Sequence, residues 1–239
     1  MDSALFTIVD KTISPSDGMF DGRVEHYFFC GQSALRVLHA AISLAAVEMP
    51  KRILDYGAGA GRVTRWMKAA FPESTIHACD LREGGMAFLR TAFGIEAWTV
   101  GTDASRLTLP FSYDLIWVGS VITHLSEADA VQLFEKLLSF CNPGGLLALS
   151  FHGQTAIDRQ DKTDFRYIHD PGWHQIKAGY AGNGYGYADY HGQVAYGISV
   201  CTPSWMVRMI RATAVVRLVL LGERLWANHH DVVVVQKLT

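Results

Sequence analysis

The sequence predicts an α/β fold: a doubly wound parallel sheet with helices on both faces. Three observations carry this. Between residues 52 and 152, short apolar runs alternate with amphipathic stretches at the pitch of βαβ units. The runs are almost continuously apolar, as strands buried on both sides require. The first of them passes directly into "YGAGAGR", which sets Gly57, Gly59 and Gly61 at a strand-to-helix turn.

Taken in order, "QSALRVLHAAISLAAVEM" has apolar residues at three-to-four spacing and predicts a helix stopped by Pro50. "RILDYG" (52–57) predicts a buried strand, "GRVTRWMKAAF" (61–71) a helix and "STIHACD" (74–80) a strand. "EGGMAFLRTAF" (83–93) predicts a weaker helix interrupted by Gly84 and Gly85. "EAWTVG" (96–101) and "YDLIWVGS" (113–120) follow as strands. "SEADAVQLFEKLLSFC" (126–141) predicts a helix with Ser126 as N-cap, and "NPGG" turns the chain into a strand over 146–152. From Gly153 to Cys201 the pattern breaks. "GYAGNGYGYADYHGQVAYG" fits an ordered loop or an irregular β insertion, too aromatic to be disordered. "PSWMVRMIRATA" then predicts a helix, and "VVRLVLLGE" and "HHDVVVVQKL" two closing strands with "RLWANH" in the turn between them. The resulting organisation is one domain over 1–239. It has a helical cap (1–50), a core (51–152), an insertion (153–202) and a closing helix and strands (203–239).

Composition narrows the class. The 239 residues are 49% hydrophobic and 18% charged, as in ordinary globular domains, and are enough for a substantial core. A net charge of −2 gives no reason to expect nucleic acid or an anionic membrane as partner. The N-terminus lacks the pattern of a secretory signal, and the runs near "AVVRLVLL" and "VVVV" are too short to cross a bilayer. Cys30, Cys79, Cys141 and Cys201 form no CxxC pair and read as reduced structural thiols of a cytoplasmic protein. The ten histidines show neither HxxxH nor HExxH spacing, so no metal site is expected.

The glycine loop distinguishes among nucleotide ligands. A nicotinamide loop wants GxGxxG, and Arg62 stands where its third glycine belongs; a phosphate-binding loop would need Gly-Lys-Ser/Thr, which is absent. Asp55 precedes the first glycine by two residues. Asp80 closes the second strand, where a carboxylate can accept hydrogen bonds from both hydroxyls of a ribose. Asp103 follows the third strand, placed to meet an adenine amino group. With "YDLIWVGSVITHLSE" and "LLSFCNPGGLLALSFHG", these segments, covering 52–153, resemble the class I S-adenosylmethionine-dependent methyltransferases. The closing "WANHHDVVVVQK" resembles the last strand of bacterial members acting on glycans or small metabolites.

The resemblance implies a Rossmann-like, seven-stranded sheet of order 3-2-1-4-5-7-6 with strand seven antiparallel, into which the two closing strands fit as the 7-6 pair. It implies S-adenosylmethionine as cofactor, leaving as S-adenosylhomocysteine. Asp55, Gly57, Ala58, Gly59 and Gly61 would approach its methionine part and ribose, and Asp80 would hold the ribose diol with Leu81 against the adenine. Asp103 and Ala104 would bind the adenine edge, Gly119 and Ser120 would lie beneath the cofactor, and Tyr27 would touch its carboxylate end or the substrate.

His124, just after the fourth strand, is the candidate general base, because a neutral imidazole is available near neutral pH. His152, after the fifth strand, is the second candidate, and His191 a third. "NHHD" (228–231) reads as structural or as a substrate wall. The insertion reads as a substrate lid, with Tyr180, Tyr185, Tyr187, Tyr190 and Tyr196 able to stack on ring faces. Its alternative use is as an interaction surface or dimer arm. Arg159, Lys162, Arg166 and Lys177 either meet an acidic acceptor or form a solvated face. The expected function is O-methylation of a small molecule or sugar hydroxyl. The alternatives are N-methylation of a small amine and a non-catalytic sensor or partner subunit that binds the cofactor.

Overall fold

A computed structural model describes residues 3–162, 165–213 and 215–239. Seven strands form the main sheet: β1 (Arg52–Tyr56), β2 (Thr75–Asp80), β3 (Glu96–Thr99), β4 (Tyr113–Val118), β5 (Cys141–Phe151), β8 (Val216–Trp226) and β9 (His230–Lys237). Their order is β3-β2-β1-β4-β5-β9-β8. The first five run parallel, and β9 is antiparallel to both β5 and β8. This is the expected order, with β9 and β8 as the closing pair.

Side-chain alternation along the strands explains why the apolar runs are unbroken. Ile53, Leu115, Trp117, Val232 and Val234 enter one core, while Leu54, Ile116, Val118, Val233 and Val235 enter the other. The first core is covered by α1 (Ser3–Ile8), α2 (Val24–Ala45), α3 (Thr64–Ala70) and α4 (Glu83–Phe93). The second is covered by α5 (Glu127–Ser139) and α8 (Pro203–Ala212). Ser126 caps α5 as expected, its hydroxyl accepting from Asp129 N at 3.2 Å, and Thr202 caps α8 in the same way.

Several boundaries differ from expectation. α2 begins at Val24, eight residues earlier than the periodicity suggests. It ends at Ala46 in the left-handed conformation, not at Pro50. At 22 residues it is long and apolar enough to span a membrane, although scattered polar residues keep it from forming one continuous apolar run; in the fold two thirds of its 18-residue apolar window is buried. "NPGG" lies within β5, where the β4 pairing shifts register between Tyr113 and Leu115. β8 runs on through Trp226, so the closing turn is shorter than "RLWANH". Ala214, the last residue of the expected closing helix, lies outside the described residues.

The largest difference lies in the insertion. It contains two helices, α6 (Gln154–Asp161) and α7 (Asp170–Gly182), before a separate two-stranded sheet of β6 (Tyr185–Asp189) and β7 (Gly197–Cys201). Trp173, Ile176, Ala188, Ile198 and Val200 give it a small core of its own. Gly186 sits against Ile176, so close that a Cβ would lie 1.9 Å from the Ile176 carbonyl oxygen; the glycine is required where helix and strand meet. The four cysteines are free and buried.

Candidate active site

The carboxyl ends of β1, β2, β3 and β4 open onto a cleft of about 840 Å³, within the range of small-molecule and cofactor sites. The glycine loop forms its floor. Gly57 N and Ala58 N both donate to the Cys79 carbonyl, at 2.8 and 3.1 Å, which ties the loop to β2. Gly57 and Gly59 have φ of +79° and +56°, and a Cβ on Gly59 would point into open space. Gly61 does something else. A Cβ there would lie 2.5 Å from Leu89 and 2.8 Å from Phe93, so this glycine packs the loop on α4 and does not line the cleft.

Asp80 connects loop and cleft. Its Oδ2 accepts from Gly59 N at 2.9 Å and its Oδ1 from Arg82 N at 3.0 Å, leaving a lone pair on each oxygen for a ligand. Asp103, also on the wall, is held below the usual carboxylate range by hydrogen bonds from Ser105. Leu81, Ala104, Gly119 and Ser120 complete that side. Gly119 lets Trp117 and Trp226 reach the wall: a Cβ would fall 2.7 Å from Trp117 Nε1.

Asp55 lies beneath the loop, 2% exposed, accepting from Thr64 Oγ1 at 2.6 Å. Burial pushes its carboxyl up to about 7, and the nearby Asp80 charge adds to the rise. An acid whose folded-state pKa exceeds its unfolded one favours folding fully below the unfolded value and loses that contribution as pH rises through the folded value. Asp55→Asn should therefore remove a decline in stability between about pH 4 and pH 7, on the order of 4 kcal/mol in all. Urea denaturation of both proteins across this range checks it; parallel profiles would rule it out.

His124 stands at the end of a short 3-10 turn after β4 (Ile122–His124) and lines the cleft. Its Nδ1 lies 2.9 Å from the Gly197 carbonyl of β7. A carbonyl can only accept, so the Nδ1 carries the proton and Nε2 keeps its lone pair. The Tyr196 ring stacks on the imidazole with centroids 5.0 Å apart, and Ser199 Oγ donates to the Ile122 carbonyl at 2.8 Å. The insertion thus buttresses this histidine. Burial pulls its pKa below the ordinary value.

Other expected residues lie elsewhere. Tyr27 is 1% exposed and absent from the cleft wall. Its hydroxyl donates to Asp17 at 2.6 Å and accepts from Arg65 at 3.1 Å. It therefore holds Asp17, which does line the cleft with Ser16, Gly18 and Met19. His152 is buried off the wall beside His229 and His230, and His191 is exposed in the β6–β7 turn. Of the insertion's tyrosines only Tyr196 lines the cleft. Tyr190 lies against His124, Tyr185 hydrogen-bonds the Leu125 carbonyl, Tyr187 bonds Asp189, and Tyr180 bonds Gln154. Arg166 and Lys177 pair with Asp170 and Asp161, and Arg159 lies over Phe165. These cations form a surface distinct from the cleft wall. Ser16–Met19 and Trp226 join the wall without having been expected there; the turn composition of "SPSDG" was the available signal for the first, and Trp226 had none.

Comparison with known proteins agrees with this geometry. Residues 53–145 match the methyltransferase domain family. An α N-terminal protein methyltransferase of Drosophila melanogaster is 28% identical over 55% of this chain and 52% of its own. A malonyl-[acyl-carrier protein] O-methyltransferase of Bacillus cereus is 27% identical over 61% and 55%. The chain thus spans about half the length of these curated relatives. An S-adenosylmethionine-dependent methyltransferase from Clostridium acetobutylicum has the same fold, with a TM-score of 0.61 at 11% identity over 91% of this chain and 96% of that one. With its sheet order and its glycine-floored cleft around the matched segment, the chain carries over residues 53–145 a methyltransferase domain in the Rossmann-like fold of class I S-adenosylmethionine-dependent methyltransferases.

Proposed function

We propose that the protein methylates an oxygen of a small molecule, with His124 as general base. The observation that carries this is the hydrogen bond from His124 Nδ1 to Gly197, which leaves Nε2 as a proton acceptor on the cleft wall. Bound S-adenosylmethionine supplies a methyl group on a sulfonium sulfur, already activated for transfer. The residues present fit such a ligand. Asp80 would accept from the ribose hydroxyls, Asp103 and Ala104 would face the adenine edge, Leu81 its face, and the loop from Gly57 to Gly59 would admit the remainder. His124 would take the proton from an acceptor hydroxyl, a contribution of roughly 10²–10⁴-fold. Trp226, Tyr196 and Val121 would keep water away from that hydroxyl. An oxygen acceptor agrees with the name of the Bacillus cereus relative. The buried, free cysteines agree with a reducing, cytoplasmic setting.

Calorimetry tests the cofactor assignment. S-adenosylmethionine and S-adenosylhomocysteine should bind and NADH should not; a preference for NADH would overturn it. Asp80→Ala should weaken S-adenosylmethionine by on the order of 1–3 kcal/mol, about 5- to 150-fold in Kd, since a charged acceptor and the anchor of Gly59 are both lost. Unchanged affinity would remove Asp80 from the site. Formation of S-adenosylhomocysteine with hydroxyl acceptors, but not with amines, separates the oxygen reading from its nitrogen alternative.

A further inference from the structure

Beside Trp226, three histidines meet that no local spacing pattern brings together. His152 follows β5. His229 precedes β9, and His230 begins it. Phe151 pairs with Asp231 across the antiparallel ladder, so the next residues outward, His152 and His230, stand opposite each other, with ring centroids 4.7 Å apart. His229 closes the group from the turn, 5.4 Å from His152 and 4.8 Å from His230.

The polar chemistry of this cluster is incomplete. The Nδ1 atoms of all three rings are buried and have no hydrogen-bond partner. A buried polar nitrogen left unpaired costs about 1–3 kcal/mol, and three at one point are not offset by anything the described residues supply. One ring nitrogen from each residue lies within 4.8 Å of the others. A tetrahedral ion bound at ~2.0–2.1 Å needs nitrogens roughly 3.3 Å apart, a contraction that small side-chain rotations can provide. Outer contacts of the kind that orient metal-binding imidazoles are already in place. Tyr167 OH lies 2.6 Å from His229 Nε2, and the Ser199 backbone hydrogen-bonds the His152 ring.

We propose that His152, His229 and His230 bind a divalent transition metal ion of the zinc class. Three imidazoles and no thiolate or carboxylate in the set select such an ion over magnesium or calcium, which take oxygen ligands. Three protein ligands leave one position open to water or another oxygen donor. The ion would join the end of β5 to the start of β9 across most of a hundred residues of chain. It would also stiffen the wall on which Trp226 rests, since the His230 and Trp226 rings lie 4.7 Å apart. This is independent of His124 and of the cofactor assignment.

Untagged protein, stripped with chelator and dialysed against micromolar zinc, should retain a single equivalent and gain in Tm with zinc concentration. His229→Ala and His230→Ala should each weaken retention at least 10-fold with a native circular dichroism spectrum, whereas His26→Ala should leave it unchanged. The imidazole nitrogen resonances of His152, His229 and His230 in the parent protein should shift on adding zinc, a readout that does not depend on a variant folding. Failure of the parent to retain zinc, resonance shifts at other histidines only, or parent-like retention in both variants would overturn the site.

Discussion

His124→Ala is expected to lower kcat by about 10²- to 10⁴-fold while changing affinity for S-adenosylmethionine little. The split follows from position: the ring lines the cleft wall after β4, whereas the proposed cofactor contacts come from the glycine loop, Asp80 and Asp103. Alanine also leaves the Gly197 carbonyl without its donor and Tyr196 without its stacking partner, so β7 will loosen. Thermal melting and calorimetry on the same samples separate that loosening from loss of the base. The pH profile provides a second check. Burial lowers the imidazole pKa, so the neutral, accepting form persists below the ordinary histidine range. The acid limb of kcat/KM should fall below about pH 6.5, with no loss on going from there to pH 8. Turnover within a few-fold of the parent would place the base elsewhere.

Arg65→Met, in α3 where it meets the cap, should destabilise the fold by about 3–5 kcal/mol, with a fall in Tm of roughly 6–20 °C. Arg65 is 1% exposed. Its Nε donates to Gly61 O at 2.9 Å, one terminal nitrogen to Asp10 O at 3.1 Å and Thr12 O at 2.8 Å, and the other to Tyr27 OH at 3.1 Å. Methionine fills much of the space but leaves the Asp10 and Thr12 carbonyls and the Tyr27 hydroxyl without the guanidinium donors, while Gly61 O keeps its bond from Arg65 N at 3.2 Å. Lysine would not restore them, because its single ammonium cannot reproduce the planar fork. The damage should extend to ligand binding: Arg65 supports Tyr27, Tyr27 holds Asp17, and Asp17 forms part of the cleft wall. Differential scanning calorimetry with and without S-adenosylhomocysteine measures both effects. An unchanged melting temperature would show that water replaces the guanidinium without cost.

The contrast between these residues shows what local sequence carries. The place of Asp80, Asp103 and the first two glycines on the cleft wall is legible because loop chemistry and strand ends set it by neighbours alone. The span of α4 was exact because its apolar residues Met86, Leu89 and Phe93 recur at helical spacing. Arg65 was not legible: in "TRWMKAA" an arginine reads as a solvated residue, and only the packing of the cap makes it internal. α6 is polar along most of its length and buries only Ala156, Ile157 and Gln160, so no periodic signal announced it. α7 carries Pro171 in its first turn, where proline is well accommodated, and Gly172, Gly179 and Gly182 weaken its helical signal. The histidine cluster has no spacing motif because its members come from opposite strands.

The position of β9 between β5 and β8 has a consequence for how the molecule is made. Both partners precede it in the chain. While translation proceeds, the nascent polypeptide therefore carries β5 with one row of amides and carbonyls unmatched, flanked by Leu147 and Leu149, until Val232–Val235 leave the ribosome. That interval is when a chaperone would bind, and when a stalled product would be most prone to stick to its neighbours.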